Sequence, residues 1–503
     1  MSKNPSIVRH AWIASSLLFA VGCSDDGPVD QGEIGEDSGP NGADGGADGG
    51  GSGEDTTPPV CMTHAQGGAA APQSGLDKVT WARGLPQTAY ASVVASTVDG
   101  SYAAVMGGPM SELLGKSLPA PGNPLVVRGG VAKLDAGGQT SWVVSLGRSE
   151  ASSQAYGAQV SVRARAAGGV FVLLGVNGSL QVGTQPALTL DDTKSQVVLA
   201  AIDAAGSVLW SKQVATGMGE EVRGWQLEVD PQGNPLLLLW GTKVQIGAVS
   251  YDCGLVFGKF DGNGSPQQAR CVSSTPMSVY EGAMSVDAQG NVAITGFPFG
   301  MDPNFGKGPF AVDAGAGGGF VVKFNPAGEL QWQTAFLRAY PDMLGFDSDG
   351  ALLLTGNMPQ KNSMNGLIEL GKKHYLPCDD GYQTHLTRLD GDGTPLWSRS
   401  YGDVTLDVVA LHPAAHTVFF QGQHATMGPL AEGLPVASSE LIFGVADAKT
   451  DGSIRWVQSG LFLTSVVAEH GSDGWLGVAS VSVATSLAGV SLENGPALVK
   501  LAP

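Results

Sequence analysis

The sequence predicts an all-β protein assembled from repeated four-stranded antiparallel units. Composition is the first reason: 503 residues include 74 Gly and 29 Pro and only 15% charged residues, so helix formers are scarce and turn formers abundant. The second is the stretch 284–336, which reads MSVDAQGNVAITGF, a loop, then GGFVVKFNPAGELQWQTAF. Its four short apolar runs are separated by an Asp-Ala-Gln-Gly turn, a longer loop and an Asn-Pro-Ala-Gly turn, the pattern of strands joined as hairpins. The third is recurrence, since weaker copies follow at roughly sixty-residue intervals.

Taken in order, the chain begins with a segment that is not part of this repeat. Residues 1–23 carry Lys3 and Arg9, then an apolar run over 11–21, then Gly22-Cys23. The run is too short for a settled membrane span and reads as an export signal. Its ending, Leu18-Phe19-Ala20-Val21-Gly22-Cys23, resembles the bacterial lipobox, with Ala20 where Leu is commoner. That resemblance implies cleavage before Cys23 and a lipidated N-terminus, each buried CH₂ adding about 0.8 kcal/mol of membrane affinity. Ser24 after the Cys points, by the enteric sorting pattern, to the outer membrane of a bacterial envelope. Residues 24–59 are Gly, Asp, Glu, Ser and Pro with almost no large apolar side chain, and are expected to form a disordered acidic tether.

Net charge is −19, with 46 acidic and 27 basic residues. Residues 24–58 hold ten of the acids and the signal two of the bases, which leaves 36 acids against 25 bases from Pro59 onward, or −11. Such a field opposes nucleic acid and anionic lipid headgroups as partners.

The repeat over 60–503 has two marks. At the fourth strand an apolar residue and Asp or Asn lead through a Gly turn to Trp: Leu134-Asp135 to Trp142, Ile202-Asp203 to Trp210, Phe324-Asn325 to Trp332, Leu389-Asp390 to Trp397. Two copies are degenerate, with Gln268 in place of Trp and with Trp456 reached through a longer turn. The turn between first and second strands is the other mark, clearest at Val229-Asp230-Pro231-Gln232-Gly233, Val286-Asp287-Ala288-Gln289-Gly290 and Phe346-Asp347-Ser348-Asp349-Gly350, and replaced at 412–416 by His-Pro-Ala-Ala-His. Fourth-strand marks number seven only if Trp81 is included, and the last unit runs out at Ala497-Leu498-Val499-Lys500-Leu501 without a fourth strand. The strand at Trp81 is therefore expected to complete the last unit, closing the array and removing its open edges. The Trp residues then serve as wedges between units, because regular recurrence at one strand position signals packing.

The pair VDAQGNVAITG and FVVKFNPAGELQW resembles the seven-bladed β-propeller repeat of predicted secreted bacterial proteins, over roughly residues 78–503. The resemblance implies the fold and no single activity.

Beyond the anchor, Cys253 and Cys271 flank the hairpin turning at Asp261-Gly262-Asn263-Gly264. Folding it about 262 and 263 sets 253 nearly opposite 271 or 272, so a disulfide is expected. Cys61 and Cys378 remain as a second candidate pair, with connectivity open. The Asp-rich turns lack the spacing of an EF-hand, His412 and His416 do not share a helix face, and no motif calls for a metal or another cofactor. Function is expected in the loops between second and third strands, at about 297–318, 357–383 and 423–440. The middle one gathers His374, Tyr375, Asp379, Asp380 and Tyr382, the densest polar and aromatic cluster of the ring. The expectation is a lipid-anchored envelope module that binds or scaffolds an unknown protein or glycan. The alternatives are a carbohydrate-active enzyme working at the central channel and an accessory lipoprotein of outer-membrane assembly. Catalysis would require paired carboxylates with a His or Arg converging on the channel mouth.

Overall fold

The computed structural model describes residues 78–503 apart from short segments, the longest being 150–159, 311–317, 359–366, 370–374, 378–382 and 425–440. These residues belong to the unit Cys61–Pro503. Every regular element among them is a strand, and the longer strands form seven antiparallel blades of four, six of them adding their strands in chain order.

The first blade comprises Ala89–Thr97, Gly100–Gly107, Leu125–Leu134 and Thr140–Ser149. The second comprises Val160–Ala164, Val170–Val176, Gln196–Ile202 and Val208–Gly217; the third, Arg223–Val229, Pro235–Gly241, Gly254–Phe260 and Pro266–Cys271. The fourth runs through Ser278–Val286, Val292–Phe299, Gly319–Phe324 and Leu330–Phe336; the fifth through Tyr340–Phe346, Leu352–Met358, Gln383–Leu389 and Pro395–Ser400. The sixth contains Val404–His412, Thr417–His424, Leu441–Asp447 and Ile454–Ser459. The seventh takes Phe462–Ala468, Trp475–Val481 and Gly495–Leu501 from one end of the ring and Val79–Gly84 from the other. There Val79 faces Leu501 and Ala82 faces Val499, the pairing that the unfinished last unit called for. First strands of successive blades lie side by side around the axis, that of the seventh next to that of the first.

Second and third strands are unbroken apolar runs because blades stack on both of their faces: Leu236, Leu237, Leu238 and Leu239 are all at most 1% exposed. The core is accordingly seven layers, one between each pair of neighbouring blades. Fourth strands face outward and alternate, with Leu209 and Leu396 about half exposed.

The tryptophans are wedges at these interfaces. Trp142, Trp210 and Trp332 each lie on the turn glycine of the next blade, and each indole Nε1 donates to a carbonyl there, Ala204 at 3.0 Å, Gly262 at 3.0 Å and Gly391 at 2.8 Å. Glycine is required at Gly206, Gly264 and Gly393 twice over: φ is +90°, +76° and +76°, and a Cβ would stand 2.7–2.8 Å from the ring. Gln268 imitates the arrangement, its amide donating to Ala327 O at 3.4 Å. Trp456 has no such turn to rest on, because the seventh blade is completed by two chain ends, and Lys78 Nζ stands 5.3 Å over its ring instead.

Cys253 and Cys271 form a disulfide, Cα atoms 5.8 Å apart. The route differs from the expected one. The loop closes between Asp261 and Ser265, and together with a bulge at Lys259/Phe260 this sets Val256, not Cys253, opposite Cys271. Cys253 lies just before the strand, and Gly254, at φ +73°, turns the chain there as the strand begins. Crossovers between second and third strands also hold short hairpins unforeseen in the sequence reading, among them Val244–Ile246 with Val249–Tyr251 and Thr485–Leu487 with Val490–Leu492. Leu180–Val182 and Val244–Ile246 extend the outer edge of the preceding blade.

Candidate functional site

A ring of antiparallel blades has two unlike mouths. One carries the tight turns that join first to second and third to fourth strands; the other carries the longer crossovers from second to third.

The turn mouth is built around one repeated device. In the turn at 287–291, Asp287 Oδ1 accepts the backbone N–H groups of Gln289 and Asn291 at 3.0 and 2.8 Å, and Lys323 from the third strand reaches Oδ2 at 3.2 Å. Both side chains are under 10% exposed. The same pairing joins Asp99 to Lys133, Asp230 to Lys259 and Asp347 to Arg388, and Glu469 to Lys500 in the seventh blade. Where the acid is missing, so is the base: the second blade has Arg165 and Ala201 at these positions, the sixth His412 and Val445. A buried charge without its partner costs several kcal/mol, which explains why the two are gained and lost together. The signal was present in the sequence as Lys or Arg immediately before the apolar-Asp mark, and it was missed because each lysine reads singly as a solvated strand residue.

Several of these groups also reach the next blade. Lys133 Nζ donates to Ala204 O at 3.1 Å, and Arg388, which also bonds Asp349 of its own blade, donates to Ala448 O of the sixth. Burial alone would raise Asp99, but hydrogen bonds from Thr97, Tyr102 and Lys133 outweigh it and hold the carboxyl down at about 2. His416 occupies a left-handed position, φ +48°, in the sixth blade's turn, and its Nδ1 lies 2.8 Å from both oxygens of Asp347. His412 Nε2 is 2.6 Å from Ser472 O in the seventh. The His-Pro-Ala-Ala-His substitution thus replaces an internal ion pair by links to both neighbours.

At the interface of the third and fourth blades, where Gln268 stands in for Trp, a cleft of about 10 Å³ remains, room for about one water. Arg270 stacks on Phe324, 3.9 Å from the ring centroid, and burial pulls its pKa down to about 10.

At the other mouth the first strands are irregular. Six of the seven carry a β-bulge near their start, between Ala89 and Ala91, Gly224 and Gln226, Val279 and Gly282, Pro341 and Met343, Leu406 and Val408, and Leu463 and Ser465. The preceding blade braces two of them. Thr295 Oγ1 donates to Pro341 O at 3.2 Å, Gln421 Nε2 to Leu463 O at 2.9 Å, and Leu463 N to Gln421 Oε1. A bulge withdraws backbone groups from their own ladder, and these side chains satisfy them. Below the bulges Arg163 pairs with Glu228 at 3.0 Å across the second and third blades. Burial pushes that guanidinium down, but the carboxylate outweighs it and the net shift is upward.

Of the expected loop cluster, Tyr375 begins the short strand Tyr375–Pro377, opposite Glu369. His374, Asp379, Asp380 and Tyr382 lie outside the described residues, as do Cys23, Cys61 and Cys378. Close to that loop, in the third strand of the fifth blade, is a residue sequence reading passed over. His385 is fully buried, 3.1 Å from Thr387 Oγ1 and stacked with Phe336, and burial pushes its pKa down to about 3.

No family model matches the chain, and no curated protein matches its sequence. Among solved structures it is similar to the Dos1 propeller, at 9% identity over 85% of this chain and 97% of that one, TM-score 0.41. A polysaccharide lyase, PL25 ulvan lyase, gives 11% identity over 84% and 95%, TM-score 0.44. A protein of unknown function from Dyadobacter fermentans gives 10% over 69% and 94%, TM-score 0.38. The propeller assignment rests on the strand pairings of the chain itself.

Proposed function

We propose that the protein is a lipid-anchored envelope module that holds a protein or glycan partner at its loop mouth. The observation that carries this reading is the asymmetry of the ring: one mouth is closed into tight, ion-paired turns, while the other gathers the crossovers and the bulged starts of the first strands on the same rigid frame. Binding residues concentrate on loops that a stiff scaffold presents. Cys23 would carry the lipid and 24–59 would act as the tether. The bacterial outer membrane is the proposed address.

Two experiments test it. Metabolic labelling with a palmitate analogue should mark the wild-type chain and not Cys23→Ser, with the variant released from the membrane fraction. His374→Ala, Tyr375→Ala and Tyr382→Ala combined should lower retention of envelope partners in an affinity pull-down; unchanged retention removes that loop from the binding face.

A further inference from the structure

The third blade departs from its neighbours at one more position. Two residues beyond the fourth-strand Trp, the second and fifth blades carry Lys212 and Arg399. Each donates to the carbonyl just before the turn glycine of the next blade, Lys212 Nζ to Asn263 O at 2.7 Å and Arg399 Nη1 to Asp451 O at 3.2 Å. The third blade has Arg270 there, but the matching carbonyl, Ala327 O, accepts from Gln268, the residue that stands in for Trp. Arg270 turns inward instead. Its guanidinium lies over Phe324 of the fourth blade, 3.9 Å from the ring centroid, and 6.0 Å from that of Phe257 in its own blade.

The inward turn leaves a cation short of acceptors. Arg270 Nε is buried and has no hydrogen-bond acceptor among the described residues. Asp230, the carboxylate that lines the same cleft, is already committed: it accepts from Lys259 Nζ at 2.7 Å, from Asn234 Nδ2 at 3.0 Å and from the backbone N–H groups of Gln232 and Asn234. Burial lowers the Arg270 pKa with no carboxylate to raise it again. A buried charged donor without an acceptor is among the costlier defects a fold can carry. The cleft beside it holds about 10 Å³, room for one species the size of a water molecule.

We propose that this cleft binds a small monovalent anion of the size of chloride, held by the Arg270 guanidinium where the other blades place an indole. A guanidinium is donor-only and always charged, so its best partner is an acceptor carrying negative charge. Lys259, the other cation of the lining, is neutralised by Asp230, which leaves one positive charge to match and argues for a monoanion. The volume is too small for a phosphate or an organic acid. The net charge of −19 is screened beyond about 8 Å at physiological salt, so the local guanidinium decides the sign of the ligand. The site lies among the turns and is independent of partner binding at the loop mouth. Its consequence is that the interface of the third and fourth blades, which lacks a Trp, is completed by an ion from solution and gains stability with the concentration of that ion.

The test follows thermal unfolding of the full chain in sodium chloride, sodium bromide and sodium gluconate at equal ionic strength, for the wild type, Arg270→Gln and Gln268→Trp. The second variant fills the slot and frees Ala327 O for Arg270, and it restores the residue other blades carry, so it folds even if the first does not. Chloride and bromide should raise the wild-type midpoint over gluconate saturably, by about 2 °C more than in either variant, a comparison that cancels general salt effects. Crystals grown in bromide should show an anomalous peak beside Arg270 Nε in the wild type and none in Gln268→Trp. The same halide response in wild type and both variants, or no peak at Arg270, would overturn the inference in favour of a bound water. A peak without a response in solution would mean binding at crystal concentration only and would overturn it as well.

Discussion

The two mouths of this ring are made from the same strands and differ in how their polar groups are satisfied. At the turn mouth the first turn of five blades matches its acid with a base from the third strand, as at Asp287, whose oxygens also accept the N–H groups of its own turn, and in three blades the next is locked on through a Trp resting on a glycine. At the loop mouth six first strands break register, and in two of them the preceding blade takes up a stray backbone group. One end of each interface is thus fixed by side chains with a single possible partner, while the other is free to vary the residue it presents.

The contrast can be broken most directly at the ion pairs. Lys323→Val leaves Asp287 buried and unpaired and should cost about 3–5 kcal/mol in denaturant unfolding. Adding Asp287→Asn, which keeps the turn bonds and removes the charge, should recover more than half, as the joint loss in the second and sixth blades leads one to expect. Failure of the double variant to recover would mean the pair does more than neutralise itself. Among the described residues the loop mouth has one covalent brace, and Cys253→Ser/Cys271→Ser should cost about 2–4 kcal/mol by the same measurement. Gly393→Ala should cost about 2–3 kcal/mol, combining a left-handed backbone with a Cβ 2.7 Å from Trp332. Gly350→Ala, at φ +83° with nothing within 4 Å, isolates the backbone part and should cost about 1 kcal/mol.

Acid should loosen the two mouths in sequence. The unfolded imidazole of His385 takes a proton below about 6.5, the folded one only near 3, so unfolding takes up a proton in that window and stability falls as pH drops through it. The loss should be about 2 kcal/mol at pH 5, and His385→Leu should flatten it. Asp99 and Asp447, both held at about 2, stabilise the turn mouth above the ordinary carboxylate range and lose that contribution only as pH falls toward 2. Hydrogen exchange at pH 5 should therefore quicken around Gln383–Leu389 before it does around the turns.

What was legible in the sequence follows from which forces act locally. Turns need particular residues at particular φ, wedges need Trp opposite Gly, and apolar runs need length, so the strands, the blade number and the pairing of Trp81's strand with Leu501's could all be read from recurrence. The matched acid and base of each blade were present in the letters too, but lie about 30–40 residues apart and gain meaning only when the third strand is laid beside the turn. The bulges left no trace, because one inserted residue shifts the register without changing the composition of a strand, and the unmatched position appears only once the partner strand is in place. His385 reads as an ordinary polar residue of a strand until Phe336 and the next layer close over it. Sequence alone determined the ring, since its rules are those of neighbours along the chain. Which end of the ring is sealed by ion-paired turns and which carries the bulged strand starts was decided by packing between blades, which brings together residues the chain keeps apart.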